Sequence, residues 1–241
     1  MQDFTNYSPN QQGSMAVAAA SSEALFFQRI YVWMFAGLAV TAGLAFVFGL
    51  SDAWMNFIKT NRFALIGAAI VELGVVFYLS ARINTLAPST AKVLFMVYAA
   101  LTGVTFSVIG RVYPPVVIFK AFISTAGIYG AMAVYGMVTK RSLQAWGSFL
   151  FMGLVGIIIA SVVNMFVHSS AADLAICVIG VLLFAGLTAY DHQKLRVIHA
   201  TALSGDADEE SRVVIMGALN LYLDFINLFL LLLRLFGRSN D

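Results

Sequence analysis

Seven long runs of apolar residues alternate with short polar connections along this chain. Each run is long enough to cross the hydrocarbon core of a bilayer as a helix, which takes about 17–25 residues. The runs lack the alternation of polar and apolar positions that barrel strands require, and lipid admits only helices or closed barrels. We therefore predict an all-α membrane protein with seven transmembrane helices. The predicted spans are residues 30–50, 63–81, 93–110, 121–138, 145–167, 174–190 and 213–233.

Composition supports this prediction, because 61% of the 241 residues are hydrophobic and only 11% are charged. Soluble domains use roughly 45–50% apolar residues. The connections are too short to hold a soluble domain, so we predict one transmembrane domain over residues 25–238, preceded by a flexible polar tail over residues 1–24. The net charge is only +2, and Lys and Arg lie at the ends of the spans. This pattern indicates a lipid bilayer as partner and excludes nucleic acid.

The seventh run contains one acidic residue, Asp224, in the stretch LYLDFINLFLLLLRL. An ionised carboxylate is expensive at the centre of a bilayer. On a helix with about 100° per residue, a polar stripe runs along one face of this span. Lipid would leave the polar side chains unsatisfied, so we expect the stripe to face protein or a water-filled cavity. The stripe contains Gly217, Asn220, Asp224, Asn227, Leu231 and Arg234.

A second acidic residue, Glu72, lies at the centre of the second run. Its carboxyl group is either functional or a protonated packing group bonded to a backbone carbonyl, and both interpretations stay open. For Asp224 the structural alternative is a protonated carboxyl group that Asn220 or Asn227 holds between helices. An acidic residue in mid-span is by default a functional hypothesis, so we favour a functional role for Asp224.

A third acidic residue, Asp191, ends the sixth run in the stretch FAGLTAYDHQKLR. Asp224 lies about 16 Å past the start of its own span at 1.5 Å per residue, whereas Asp191 would border water in a helix that stops at Tyr190. The two carboxyl groups meet only if the sixth helix continues past Lys194 and Arg196 and carries Asp191 into the bundle. We predict this continuation, because the apolar run that ends at Tyr190 is the shortest of the seven.

The stretches GLTAYDHQKL and LYLDFINLFLLLLRLFG resemble the paired motifs of the Bax inhibitor-1 family, also called the transmembrane BAX inhibitor motif family, and of its bacterial members in particular. The resemblance covers the chain after the N-terminal tail. One departure is His192, where a small polar residue such as threonine is expected. The resemblance implies a multi-pass protein of the bacterial cytoplasmic membrane, in which six helices surround a central seventh helix.

The resemblance also implies a function for the acidic residues. Asp191 and Asp224 match the family's pH-sensing aspartate pair, and Arg82 is the nearest candidate for the arginine that pairs with it. Family members resemble pH-sensitive calcium leak channels, so Ca²⁺ and protons are the expected ligands, and no cofactor is expected. Two carboxyl groups in a low dielectric share a proton, and its loss leaves a charge for a cation to offset. We expect Ca²⁺ to bind transiently to Asp191 and Asp224, supported by the polar residues Glu72, Asn220 and Asn227.

A second hypothesis belongs to another class of function. Some bacterial relatives in the family are linked to modulation of a membrane-bound protease, so a protease is a candidate partner. In this hypothesis the chain is a non-conducting regulator of that protease or of a stress response. Calcium flux in liposomes separates the two hypotheses.

Other functions require residues that this chain does not contain. Intramembrane aspartyl proteases place their second aspartate in a glycine-flanked motif and also carry a proline-alanine-leucine motif, and neither is present. The seventh run contains no lysine for a retinal Schiff base. His168, His192 and His199 lie at or beyond span ends, with neither a nucleophile motif nor zinc-ligand spacing. We therefore predict that the protein is not an enzyme.

Overall fold

The structure is a computed structural model and describes residues 9–61, 63–201 and 206–238. All regular secondary structure in these residues is helical, and seven segments are long and apolar enough to cross a membrane. The predicted all-α membrane fold is therefore confirmed. In chain order the helices are α1 (Pro9–Leu50), α2 (Asp52–Thr60), α3 (Ala64–Arg82), α4 (Pro88–Phe106), α5 (Ile109–Val112), α6 (Pro115–Val138), α7 (Gly147–Val167), α8 (Ser170–Thr201) and α9 (Ala207–Arg238).

Local sequence explains where several helices begin and end. Pro88 and Pro115 lie in the first turns of α4 and α6, where a missing amide hydrogen leaves no helical bond unmade. Ser51 caps α2, because its side chain accepts a hydrogen bond from the Trp54 amide at 3.2 Å. α7 ends at His168, whose backbone is left-handed with φ of 53°. The short helix α2 belongs to none of the seven spans, whereas the single turn of α5 forms the end of the span Pro88–Val112.

Several helices extend beyond the apolar runs that predicted them, among them α8, α9 and α1. α8 continues to Thr201, so the predicted continuation past Lys194 is confirmed. α9 begins at Ala207, well before the apolar run starts. α1 begins at Pro9, so residues 9–24, which we expected in a flexible tail, belong to this helix. The remainder of that predicted tail, residues 1–8, lies outside the described residues.

The last helix, α9, is the most buried of the spans. In its most apolar segment 61% of residues are buried, against 33% or less in the other spans. α9 packs against α1, α4, α6 and α8, whereas α3 packs mainly against α4 and α7 packs mainly against α8. An arrangement of six helices around the seventh is therefore not confirmed. Four helices surround α9 directly, and α3 and α7 lie outside them.

A close contact between α6 and α8 positions the part of α8 that carries Asp191. Gly136 on α6 lies so near the Ala189 backbone that a Cβ atom there would overlap the Ala189 carbonyl group. Small residues let transmembrane helices approach closely, because packing rather than hydrophobic burial drives their association. Gly136 therefore sets the distance between the two helices immediately beside Asp191.

Candidate functional site

Asp224 lies inside the bundle on α9, with only 5% of its surface exposed. The prediction that this side chain turns away from lipid is confirmed. Its Oδ2 atom is buried and has no hydrogen-bond partner among the described residues. An unsatisfied buried polar atom costs about 1–3 kcal/mol, and more when it is charged. The Asp224 carboxyl group therefore requires a proton or a cation that the neighbouring side chains do not supply.

Asp191 lies on the extended part of α8 and is half-buried. Its carboxyl group is within electrostatic range of Asp224, and Tyr129 of α6 is within electrostatic range of both. The continuation of α8 carries Asp191 beyond the end of the apolar run and into the bundle. The two aspartates that the paired motifs predicted therefore lie on adjacent helices, within electrostatic range of each other.

A cavity of about 180 Å³ connects Asp191 with the region where α8 ends and α9 begins. We call it the acidic hollow. Asn220 of α9 lines it beside Asp191, so the polar stripe of α9 faces this space in part. The charged side chains of Lys194, Glu209 and Arg212 line it nearer the connection between α8 and α9. Most of its lining surface is apolar, but the charged side chains in it suit water and ions better than lipid tails.

A second cavity of about 480 Å³ lies farther along α9 and is almost entirely apolar. We call it the apolar cavity. On α9 its lining begins at Phe225 and includes Phe229, whereas the lining of the acidic hollow reaches only to Asn220. Asp224 lies between these two sets of residues. Along α9, Asp224 therefore lies between the lining of the acidic hollow, which includes Asp191, and the lining of the apolar cavity.

Arg82, the predicted counter-charge, is exposed at the end of α3. Within the described residues it forms no ion pair, and it does not line the acidic hollow, although the next two residues do. The basic side chains that line the hollow are Lys194 and Arg212 instead. Lys194 is near enough to Asp191 to act on it electrostatically. The structure therefore offers Lys194 as the basic neighbour of the pair.

The supporting polar residues are separated by the fold. Asn220 lines the acidic hollow, but the Asn227 side chain donates to the Leu223 carbonyl of its own helix at 2.8 Å. Glu72 faces α4, where its Oε2 atom lies 3.5 Å from the Thr102 hydroxyl. Glu72 therefore belongs to a different polar cluster from Asp191 and Asp224.

His192 corrects the sequence-based placement of the histidines. We expected it at or beyond the end of a span, but it is fully buried, because α8 extends through it. Its Nδ1 atom lies 2.6 Å from the Thr188 carbonyl, and its Nε2 atom lies 3.0 Å from the Tyr31 hydroxyl. A carbonyl only accepts, so Nδ1 carries a hydrogen, and in a neutral ring Nε2 accepts from the Tyr31 hydroxyl. His192 thus links α8 to α1 beside Asp191.

The oxygen atoms near the pair suit a hard cation. Two carboxyl groups and the Asn220 amide are the ligand types that Ca²⁺ prefers, and Asp224 contributes a buried oxygen without a partner. A tight calcium site has six to eight oxygen ligands. In the part of the chain that the structure describes, no group of three or more His, Cys, Asp and Glu residues could hold a metal ion. The donor set therefore fits transient binding rather than storage of a metal.

Ion pairs join α8 and α9 at the opposite end of the bundle. Arg234, the last member of the polar stripe, pairs with Asp173 in the first turn of α8, and Arg238 lies 3.7 Å from the same carboxyl group. Arg238 also donates to the Ser170 carbonyl. This end of α9 is therefore held by charge, whereas the middle of α9 contains the unsatisfied Asp224.

Comparisons with known proteins agree with this architecture. Residues 23–241 match the family described as inhibitor of apoptosis-promoting Bax1. The inner membrane protein YbhL of Escherichia coli is 47% identical over 212 residues, which cover 88% of this chain and 91% of that protein. An uncharacterised protein of Deinococcus radiodurans is 45% identical over 216 residues, covering 90% of this chain and 91% of the relative. A relative from Borreliella burgdorferi is 40% identical over 217 residues, covering 90% and 93%. With both aspartate motifs on adjacent buried helices and the match spanning the bundle, this chain belongs to the Bax inhibitor-1 family.

Proposed function

We propose that this protein is a pH-sensitive calcium leak channel, in which the Asp191–Asp224 pair controls conduction by binding a shared proton. The observation that carries the proposal is the buried Oδ2 atom of Asp224, which lacks a hydrogen-bond partner among the described residues. Along α9, Asp224 lies between the residues that line the two cavities. YbhL is an inner membrane protein, so we place this chain in a bacterial cytoplasmic membrane as well.

Protonation supplies a physical gate. Two carboxyl groups that lie close together in a low dielectric cannot both ionise cheaply, so one proton shared between them lets the helices stay packed. When that proton leaves, the pair gains a second negative charge, which water or a cation must offset. The acidic hollow is the route by which either reaches Asp191. We therefore expect the closed state at low pH and the conducting state at higher pH.

Calcium fits the open state for two reasons. The available ligands are hard oxygens, which Ca²⁺ prefers over soft or nitrogen donors. Their small number gives weak binding, and conduction requires an ion to leave as readily as it arrives. Lys194 and Arg212 line the same hollow and oppose the approach of cations, which suits a slow leak better than a fast channel.

Purified protein in liposomes loaded with a calcium dye tests the proposal. Asp191→Asn and Asp224→Asn keep the shape of the side chain but cannot ionise. We expect wild-type flux to rise with pH and both variants to lose this dependence. The matched control is Asp52→Asn, because Asp52 is an exposed acid at the start of α2 and pairs with Arg111 at 2.9 Å. This control should behave like the wild type.

Two results would count against the proposal. A pH dependence that survives in both variants would remove the gating role of the pair. Absence of calcium flux at every pH, in protein that is folded and inserted, would favour the non-conducting regulator of a membrane protease.

A further inference from the structure

A polar cluster in the middle of the membrane is separate from the aspartate pair. Glu72 lies near the centre of α3, a helix that packs mainly against α4 and is otherwise largely exposed toward lipid. Its Oε1 atom is buried and finds no hydrogen-bond partner in the described part of the chain. Its Oε2 atom lies 3.5 Å from the Thr102 hydroxyl. The mechanism proposed above does not use this carboxyl group.

The threonine hydroxyl groups that face Glu72 have closer acceptors in the backbone of α4. Thr102 donates to the Tyr98 carbonyl at 3.0 Å, whereas its hydroxyl lies 3.5 Å from the Oε2 atom of Glu72. Thr105, also within reach of the carboxyl group, donates to the Thr102 carbonyl at 2.9 Å. Each hydroxyl has one hydrogen and two lone pairs, so donation to these carbonyls leaves a lone pair that can accept a hydrogen from Glu72. A protonated Glu72 carboxyl group therefore fits this hydrogen-bond arrangement.

The next layer of the cluster joins α1 to α9. Thr41 of α1 donates to the Ala99 carbonyl at 2.8 Å, so the Tyr222 hydroxyl must donate to Thr41 across their 2.7 Å contact. The Tyr222 ring packs edge-on against Tyr98, whose ring also lies near Glu72. The hydrogen of the Tyr222 hydroxyl is thus directed to Thr41 rather than to Glu72.

The charged surroundings do not compensate an ionised Glu72. α4 is the helix packed against α3, and the groups it presents are the neutral Tyr98, Thr102 and Thr105. Behind α4, the titratable neighbour on α9 is Tyr222. Among the residues that the structure describes, Glu72 has no ion pair with Lys or Arg. A bare carboxylate here would lie in apolar surroundings without a cation to offset its charge, and its Oε1 atom would have no hydrogen-bond partner among the described residues.

We propose that Glu72 is a second, independent proton-binding site at the bilayer midplane, in which the protonated carboxyl group donates to Thr102 and fastens the outer helix α3 to α4. Protonation completes a directional chain, because the Glu72 hydrogen then reaches Thr102, whose own hydrogen reaches the Tyr98 carbonyl. The site does not depend on calcium conduction or on the aspartate pair.

Infrared spectroscopy of the full chain in liposomes tests this site. A protonated carboxyl group has a carbonyl stretch above the amide band, and that stretch shifts in heavy water. The chain carrying Asp191→Asn and Asp224→Asn removes the contribution of the pair. At neutral pH we expect this chain to retain a protonated carboxyl band and to lose it when Glu72→Gln is added. Asp52→Asn, at an exposed acid, should leave the band unchanged.

A variant of Thr102 and a change of the cation in the buffer complete the test. Thr102→Val removes the acceptor, so the Glu72 band should remain and move to higher frequency. A band that is the same with and without Glu72→Gln would overturn the proposal. A band that appears only when sodium is replaced by choline would also overturn it, because the site would then hold a metal cation. None of these results depends on whether calcium flux is observed.

Discussion

The chemistry of single residues in this bundle depends on how each buried polar atom is satisfied. The burial of Asp224 was predictable from sequence, because a carboxyl group in an apolar span has no stable position against lipid. The burial of His192 was not. It follows an apolar run that stops at Tyr190, and hydropathy cannot show that neighbouring helices cover a polar continuation of α8. Its partners Tyr31 and Thr188 become evident only when α1 and α8 are placed side by side.

His192→Phe should destabilise the protein by roughly 1–3 kcal/mol. The phenyl ring fills similar space but leaves the Thr188 carbonyl and the Tyr31 hydroxyl without their partner. Thermal unfolding in detergent measures the effect as a lower transition temperature. Tyr31→Phe is the matched control, since it removes one of the two hydrogen bonds and should cost about half as much. Equal stability of His192→Phe and wild type would show that these contacts do not hold α8 to α1.

At the scale of helices, the spans were predictable but their neighbours were not. Apolar length identifies a transmembrane helix directly. In a bilayer, however, lipid tails and packing partners are equally apolar, so the residues on α3 and α4 do not reveal which helices they touch. Only the polar stripe of α9 marked a face, and it correctly placed Asp224 and Asn220 inside the protein. The outer position of α3 and α7 has no such marker.

The contact between α6 and α8 gives a prediction at this scale. Gly136→Ala should lower stability by about 1–3 kcal/mol, because the added methyl group would overlap the Ala189 backbone and separate the helices. Since Asp191 lies just beyond Ala189, the same change should disturb the pH dependence of calcium flux. Gly130→Ala on the same helix is the control, because a Cβ atom there meets no other atom within 4 Å.

Thermal unfolding and calcium flux of the two glycine variants can be measured in parallel. Gly130→Ala should match the wild type or be slightly more stable, since alanine is the better helix former. If Gly136→Ala were as stable as Gly130→Ala, the close approach of α6 and α8 would not position Asp191.

At the scale of the whole molecule, the Asp224 carboxyl group, whose Oδ2 atom has no hydrogen-bond partner among the described residues, lies along α9 between the linings of two cavities. The acidic hollow ends beside Asp191 and Asn220, the apolar cavity begins at Phe225, and Asp224 lies between them. At the far end of the bundle α9 is tied to α8 through Arg234 and Asp173. The sequence could predict the two aspartates and the helix that carries each. It could not predict the hollow, because Lys194, Glu209 and Arg212 meet there only after both helices extend past their apolar runs.

We propose that Asp191 and Asp224 share one proton, which a calcium ion displaces. The most direct measurement is the number of protons released when Ca²⁺ is added to the purified protein in weakly buffered detergent, at a pH where the leak is closed. We expect about one proton per bound Ca²⁺ in the wild type and in Glu72→Gln, because a cation and a proton compete for the same carboxyl groups. We expect no release in Asp224→Asn. Calcium binding without proton release in the wild type, or release that persists in Asp224→Asn, would contradict it.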